Sequence, residues 1–240
     1  MNKWLKRVLI AVPVAIIVVY AAIFVYTEWI NDPADPISVA DARELANATD
    51  AVPTTVIDGP VADTDGDWAI SAGSEFGYRV KEVLGGVDTE AVGRGQDISG
   101  SITIAGTQVT DGSFTVEVAT IASDNSMRDG QFRGRVMETE RFPEASFALT
   151  SPIELSAVPP IDGEVSAAAT GELTLHGVTR LVTFEVTAVR GSQRIAVVGS
   201  IPVVFADYDI DNPSNGAVTT EDDGVLEFNL GFEQQSIERG

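Results

Sequence analysis

Acid–base or metal chemistry at neutral pH needs groups that carry protons or ligate metals, and the strongest candidates are scarce in this chain. His176, in GELTLHGVTRLVTF (171–184), is the sole histidine of 240 residues, and there is no cysteine. Disulfides, thiol catalysis, cysteine-type zinc sites and lipoprotein anchoring through a cysteine are therefore excluded. His176 shares strand parity with Glu172 and Thr174, not with Leu173 and Leu175. It is expected to point away from the apolar face or along a turn made with Gly177. No H-x-x-E or H-x-H spacing surrounds it. Without convergent ligands, it reads as a turn residue that ties up backbone groups or meets a carboxylate.

Carboxylates are abundant, but abundance is not a catalytic pair. There are 36 Asp and Glu against 15 Lys and Arg, a formal net charge of -21. The densest cluster is Asp207, Asp209 and Asp211 in DYDID. If extended, these three face one way and offer a cation such as Ca²⁺ a set of oxygens. They lack the glycine and glutamate spacing of an EF-hand loop, which favours a solvated edge. The serines have neither a nucleophile elbow nor a histidine partner. The expectation is a protein without catalytic residues, metal or cofactor. So acidic a chain repels phosphate backbones, so nucleic acid is not an expected partner.

The elements that carry these residues alternate with a period of two. Phe76, Tyr78 and Val80 align in EFGYRV; Ile102 and Ile104 in SITI; Phe114, Val116 and Val118 in GSFTVEVAT. Leu173 pairs with Leu175, Val182 with Phe184 and Val186, and Leu226 with Phe228, Leu230 and Phe232. Each run reads as a half-buried strand, and short turns such as VPPIDGE and RGSQ separate them. Short-linked strands pair antiparallel, so an all-β sandwich or barrel is expected. One stretch breaks the pattern, SDNSMRDGQFRGRVMETERFPEASF (123–147). Asp124, Asn125 and Ser126 are helix-capping residues, Met127, Phe132 and Val136 share one helical side, and Pro143 ends any helix. Gly130 and Gly134 weaken it unless the fold supports it.

The N-terminal end reads differently. Lys3, Lys6 and Arg7 precede an uncharged apolar run from Val8 to Tyr26. At ~1.5 Å per residue that run spans roughly 28 Å, close to a bilayer core. Trp4, Tyr26 and Trp29 edge it, and no small-residue cleavage site follows. The expectation for residues 1–30 is a cytoplasmic stub followed by a single-pass cell-membrane helix, with the remainder of the chain extracytoplasmic. Residues 31–67, rich in Asp, Ala and Pro and poor in aromatics, read as an acidic disordered stalk, with one or two helical turns possible from a Ser38 cap. A folded domain is expected over 68–233 and a frayed tail over 234–240.

TGELTLHGVTRLVTFEV resembles the signature hairpin of the YceI-like family, and three further pieces follow that family's order. They are GSITI (100–104), the helical insert ending in Phe142-Pro143, and GSIPVVFADYDI (199–210). The resemblance implies an antiparallel lipocalin-like β-barrel of about eight strands with a short helical insert, binding a polyisoprenoid or other lipid. Where the family often carries histidines, this chain has Gly73, Glu82 and Gln131, so no metal or polar contact is carried over at those positions. The apolar faces nominate Phe76, Tyr78, Phe114, Val116, Phe147, Leu173, Leu175, Phe184, Leu226 and Phe228 as ligand walls, with Met127 and Phe132 covering the mouth. The alternative is a filled barrel serving as a structural or protein-interaction domain at the cell surface, since the interior of a small barrel is commonly packed.

Overall fold

The computed structural model describes residues 12–13, 15–22, 33–48, 64–216 and 218–235. In chain order the strands are β1 (Gly66–Ile70), β2 (Glu75–Leu84), β3 (Val87–Gly95), β4 (Ile98–Ala105) and β5 (Gln108–Glu117). There follow β6 (Ala122–Ser123), β7 (Glu144–Leu149), β8 (Ile153–Glu154) and β9 (Glu164–Leu175). The last are β10 (Val178–Arg190), β11 (Arg194–Val204), β12 (Val218–Thr220) and β13 (Asp223–Gln234). Two helices accompany them, α1 (Val39–Ala46) and α2 (Ser126–Gln131), the second running into a π-helical turn, Phe132–Val136.

Eight strands close into a ring, β1-β4-β5-β7-β9-β10-β11-β13, with β13 returning to β1. The alternation left a sandwich or a barrel open; the structure has the antiparallel barrel that the family resemblance implied. Its wall forks at β13. Val225–Asn229 of β13 pairs with Arg79–Glu75 of β2, whereas Phe232–Gln234 pairs with Ile70–Trp68 of β1. A turn between β1 and β2, with Gly73 at φ +85°, allows the split. β3 and β6 extend the flared branch, and the helical insert lies against it: Phe132 stacks on Tyr78 at 4.8 Å, and Arg128 reaches Glu82 at 3.2 Å. Asn125 caps α2 by accepting from the Met127 and Arg128 amides. The insert is shorter than a continuous helix through Val136 because the ladder slips to π spacing at Phe132.

The β9–β10 hairpin shows how sequence sets the faces. Leu173, Leu175 and Phe184 are buried inside. Outside, hydroxyls meet across the pair: Ser166 with Thr187 at 2.8 Å, Thr170 with Thr183 at 2.9 Å, Thr174 with Thr179 at 2.8 Å. The hairpin tip places both His176 (φ 51°) and Gly177 (φ 77°) in the left-handed region, the two-residue turn whose twist suits adjoining strands.

Part of the expected stalk is structured. α1 packs on the outer face of β10 and β11, with Ala42, Leu45 and Ala46 against Val189, Ala196 and Val198. Its stripe, Val39, Ala42, Leu45 and Ala46 on a helical period, is small-residued and easily taken for stalk composition. Ser38 caps it, its hydroxyl and amide both donating to Asp41 at 2.7 Å. The Ser38 hydroxyl bond, opposed by partial burial and aided by backbone bonds, holds the Asp41 carboxyl below its usual value. Residues 49–63 of the expected stalk and 236–240 of the expected tail lie outside the described residues. Residues 12–13 and 15–22 are helical, and the rest of the 8–26 run is also outside them. Among the described residues, no helix is long and apolar enough to cross a membrane.

Candidate binding chamber

The barrel interior is not filled throughout. A chamber of about 390 Å³ occupies the end bounded by the helical insert, β2 and the loop before β12, and its walls are overwhelmingly apolar. That volume falls within the ~300–1,000 Å³ range of ligand pockets. A second space of about 110 Å³ lies toward the other end of the barrel, lined by Ile102, Val109, Leu149, Val186 and Val197 among others.

The twelve wall positions nominated from sequence divide between the two. Phe76 and Tyr78 of β2, Phe114 and Val116 of β5, and Leu226 and Phe228 of β13 line the larger chamber. So do Leu173 and Leu175 of β9, with Met127 and Phe132 of the insert at its mouth. Phe147 and Phe184 line the smaller space, which Phe114 and Phe228 also border. Met127 is 74% exposed, an unusual setting for a large apolar side chain. Sequence reasoning missed Ile201, Val203 and Phe205, although their alternation in GSIPVVF matched the other strands. It also missed Ile121 and Met137, which sit in irregular segments where no period marks an inward side chain.

The polar groups at the mouth are mutually engaged. Arg128 lies between Glu82 at 3.2 Å and Asp124 at 2.6 Å, so its charge is more than balanced locally. Gln131 accepts from the Asn215 amide at 3.3 Å. Burial, reinforced by the Asp129, Glu82 and Asp124 carboxylates and opposed by Arg128, pushes the Tyr78 phenol up to about 12. A raised phenol stabilises the fold fully below its unfolded value of about 10 and loses that contribution as pH climbs through the folded value. Denaturant titrations between about pH 9 and 12 are therefore expected to show stability falling, with a shallower fall in Tyr78→Phe. Buried Tyr208, also raised, leaves a residual slope.

His176 sits in the hairpin turn, as its sequence position suggested, but its ring is not turned to solvent. Its Nδ1 lies 3.2 Å from the Tyr208 carbonyl, which only accepts, so Nδ1 carries the proton. The ring meets the edge of Phe142 at 4.5 Å, and Nε2 is buried with no hydrogen-bond partner among the described residues. Asp207, Asp209 and Asp211 do not form the extended comb that the cation reading would have needed. Phe205–Tyr208 is a 3-10 turn, and Asp209 closes it at φ 54°. Among the described residues, no group of three or more histidines and carboxylates is placed to hold a metal ion.

Comparison with known proteins agrees with this architecture. Residues 68–232 match the YceI-like domain. A UPF0312 protein of Vibrio parahaemolyticus is 30% identical over 127 residues, covering 49% of this chain and 64% of that protein. A UPF0312 protein of Shewanella denitrificans is 30% identical over 128 residues, covering 50% and 63%. The matches thus take in less than two thirds of these relatives' own lengths. Among solved structures, a polyisoprenoid binding domain from Saccharophagus degradans, implicated in plant cell wall breakdown, superposes with a TM-score of 0.57 at 17% identity. That superposition covers 70% of this chain and 98% of the other, and it shows a shared fold. With the insert, the hairpin and nearly all of the forked barrel inside the matched stretch of 165 residues, the chain belongs to the YceI-like family.

Proposed function

We propose that this protein binds a long apolar chain, a polyisoprenoid or other lipid, in the larger chamber. The observation that carries the reading is the chamber itself: about 390 Å³ of space walled by aliphatic and aromatic side chains. Burying a hydrocarbon there gains roughly 25 cal/mol per Å² of apolar surface, less the cost of ordering the chain. The balanced charge around Arg128 and the acidity of the whole molecule favour a neutral head group over a phosphate. The polyisoprenoid binding domain that shares the fold supports the same ligand class.

The apolar run from Val8 to Tyr26, preceded by Lys3, Lys6 and Arg7, is assigned as a single-pass membrane tether with the barrel on the extracytoplasmic side. Its support is the length and charge of the sequence. Membrane fractionation of the full chain and of a form lacking residues 1–30 tests it; equal release of both into the soluble fraction would count against a tether.

The ligand test is a detergent-free purification of residues 33–240 from a bacterial host, followed by mass spectrometry of the organic extract. A stoichiometric long-chain lipid is expected. Leu175→Trp, which fills the chamber from β9, is expected to lose that lipid while keeping the β-sheet spectrum, at an overpacking cost of about 1–3 kcal/mol. An empty extract from folded protein, still empty after incubation with host membranes, would leave a filled-barrel interaction domain as the better reading.

A further inference from the structure

Four phenylalanines cross the lumen between the two spaces. Phe114 on β5 lies 5.5 Å from Phe147 on β7, and Phe147 lies 5.2 Å from Phe184 on β10. Phe184 lies 6.0 Å from Phe228 on β13, and Phe228 returns to Phe114 at 5.7 Å. The contacts form a closed circuit of one stacked, one tilted and two edge-on pairs, arrangements that aromatic quadrupoles favour. Phe114 and Phe228 are the wall residues common to both spaces.

The strands between these phenylalanines provide seats for them. A Cβ on Gly199 of β11 would stand 2.5 Å from the Phe228 ring, and one on Gly171 of β9 would stand 2.4 Å from the Phe147 ring. Ala169 is the cross-strand partner of Phe184. The rings lie over small residues and reach across the lumen rather than being displaced by larger neighbours. Packing alone does not require this layer: the space beyond it is apolar, about 110 Å³, and left unfilled.

We propose that Phe114, Phe147, Phe184 and Phe228 form the floor of the ligand site and determine how much of an apolar chain the barrel accepts. This rests on the binding reading above. A chain entering past Met127 and Phe132 descends to the ring and stops. The smaller space lies beyond it, and further units of a longer chain remain outside the mouth. Chain-length selectivity then belongs to the four rings rather than to the rim. Thinning one ring joins the two spaces and lengthens the accepted chain.

The test is a ladder of isoprenoid alcohols (farnesol, geranylgeraniol, solanesol) titrated into delipidated protein, comparing the native chain with Phe228→Leu and Phe184→Leu. Leucine keeps each position apolar, and near-ultraviolet dichroism checks folding; two positions guard against one variant failing to fold. The native protein is expected to gain affinity up to a limiting length and none beyond it. Each methylene moved out of water is worth roughly fourfold in affinity. The variants are therefore expected to bind solanesol about tenfold or more tighter than the native chain does, with farnesol little changed. A native profile that keeps rising to solanesol, or identical ladders in native and variant proteins, would overturn the floor while leaving lipid binding standing. Binding of no alcohol by any of the proteins would overturn the binding reading and the floor together.

Discussion

Glu227→Gln is expected to destabilise the barrel by about 3–5 kcal/mol, the cost of removing one partner from a buried charge cluster. Glu227 is 6% exposed although it points away from the lumen. It accepts from Arg79 Nε at 3.1 Å and from Arg94 Nη2. Arg79 continues to Glu90 at 2.5 Å and to the Ala34 carbonyl at 2.6 Å; Arg94 continues to Glu75 at 3.3 Å and to the Asp35 carbonyl at 3.3 Å. Burial alone would lower the Arg79 guanidinium, but its bonds to Glu90 and Glu227 outweigh that and raise it. Glutamine keeps the size of the side chain and removes its charge, so two guanidinium groups lose their shared counter-charge under the chain that covers them. At roughly 2–4 °C per kcal/mol for a domain this size, thermal melting is expected to fall by about 10 °C. The exposed pair Arg43–Glu164, each side chain 50% exposed, provides the control: Glu164→Gln is expected to change stability by less than about 1 kcal/mol. Equal melting shifts in the two variants would show that the covered cluster is not desolvated.

Trp68→Ala is expected to cost a similar amount, about 3–5 kcal/mol, with a different signature. Trp68 is 1% exposed, and its indole nitrogen donates to the Thr64 carbonyl at 3.0 Å. It lies in β1, a strand of five residues that alone joins β4 to β13 and closes the ring. Trp68 is the register partner of Ile102 on one side and Gln234 on the other. Emptying its place is expected to loosen the seam before the rest of the wall. Hydrogen exchange should accelerate first in β1 and the end of β13, while the β9–β10 hairpin stays protected. Uniform acceleration across the sheet would mean that β1 is no weaker than its neighbours. Trp68→Phe, which keeps most of the apolar volume, is expected to retain most of the protection.

The choice of barrel over sandwich came from the resemblance of the His176 hairpin and its flanking motifs, whereas the strands were legible because half-buried strands write their faces into the sequence every second residue. Leu173, Leu175, Phe184, Leu226 and Phe228 all face the interior for that reason. The same alternation gave no depth along the barrel axis, so Phe147 and Phe184 could not be told from Phe76 and Tyr78, which line the other chamber. The fork at β13 was hidden too, since one alternating strand serves two partners with no change in pattern. Position 227 illustrates a further limit. Alternation assigns Glu227 to the outer face, which is correct, but local sequence cannot show that residues 34 and 35 arrive from far away to cover it. The place of the glycines at 171 and 199 shows only once the rings across from them are placed, since a side chain there would meet Phe147 and Phe228.

The docking of residues 33–48 on the outer wall also has a mechanical meaning. A pull on the chain ahead of Pro33 is borne first by the Arg79 and Arg94 bonds to the Ala34 and Asp35 carbonyls, then by α1 against β10 and β11. Both attachments lie on the outside of the sheet, so while they hold the load enters the wall there rather than at β1, the strand that follows in the chain and closes the ring. The segment is strapped to the barrel and shields that closing strand from tension. The same attachments resist rotation, because one grips β2 and β3 and the other grips β10 and β11. A chain held at two separated points on a cylinder fixes which way the cylinder's open end faces for as long as both points hold.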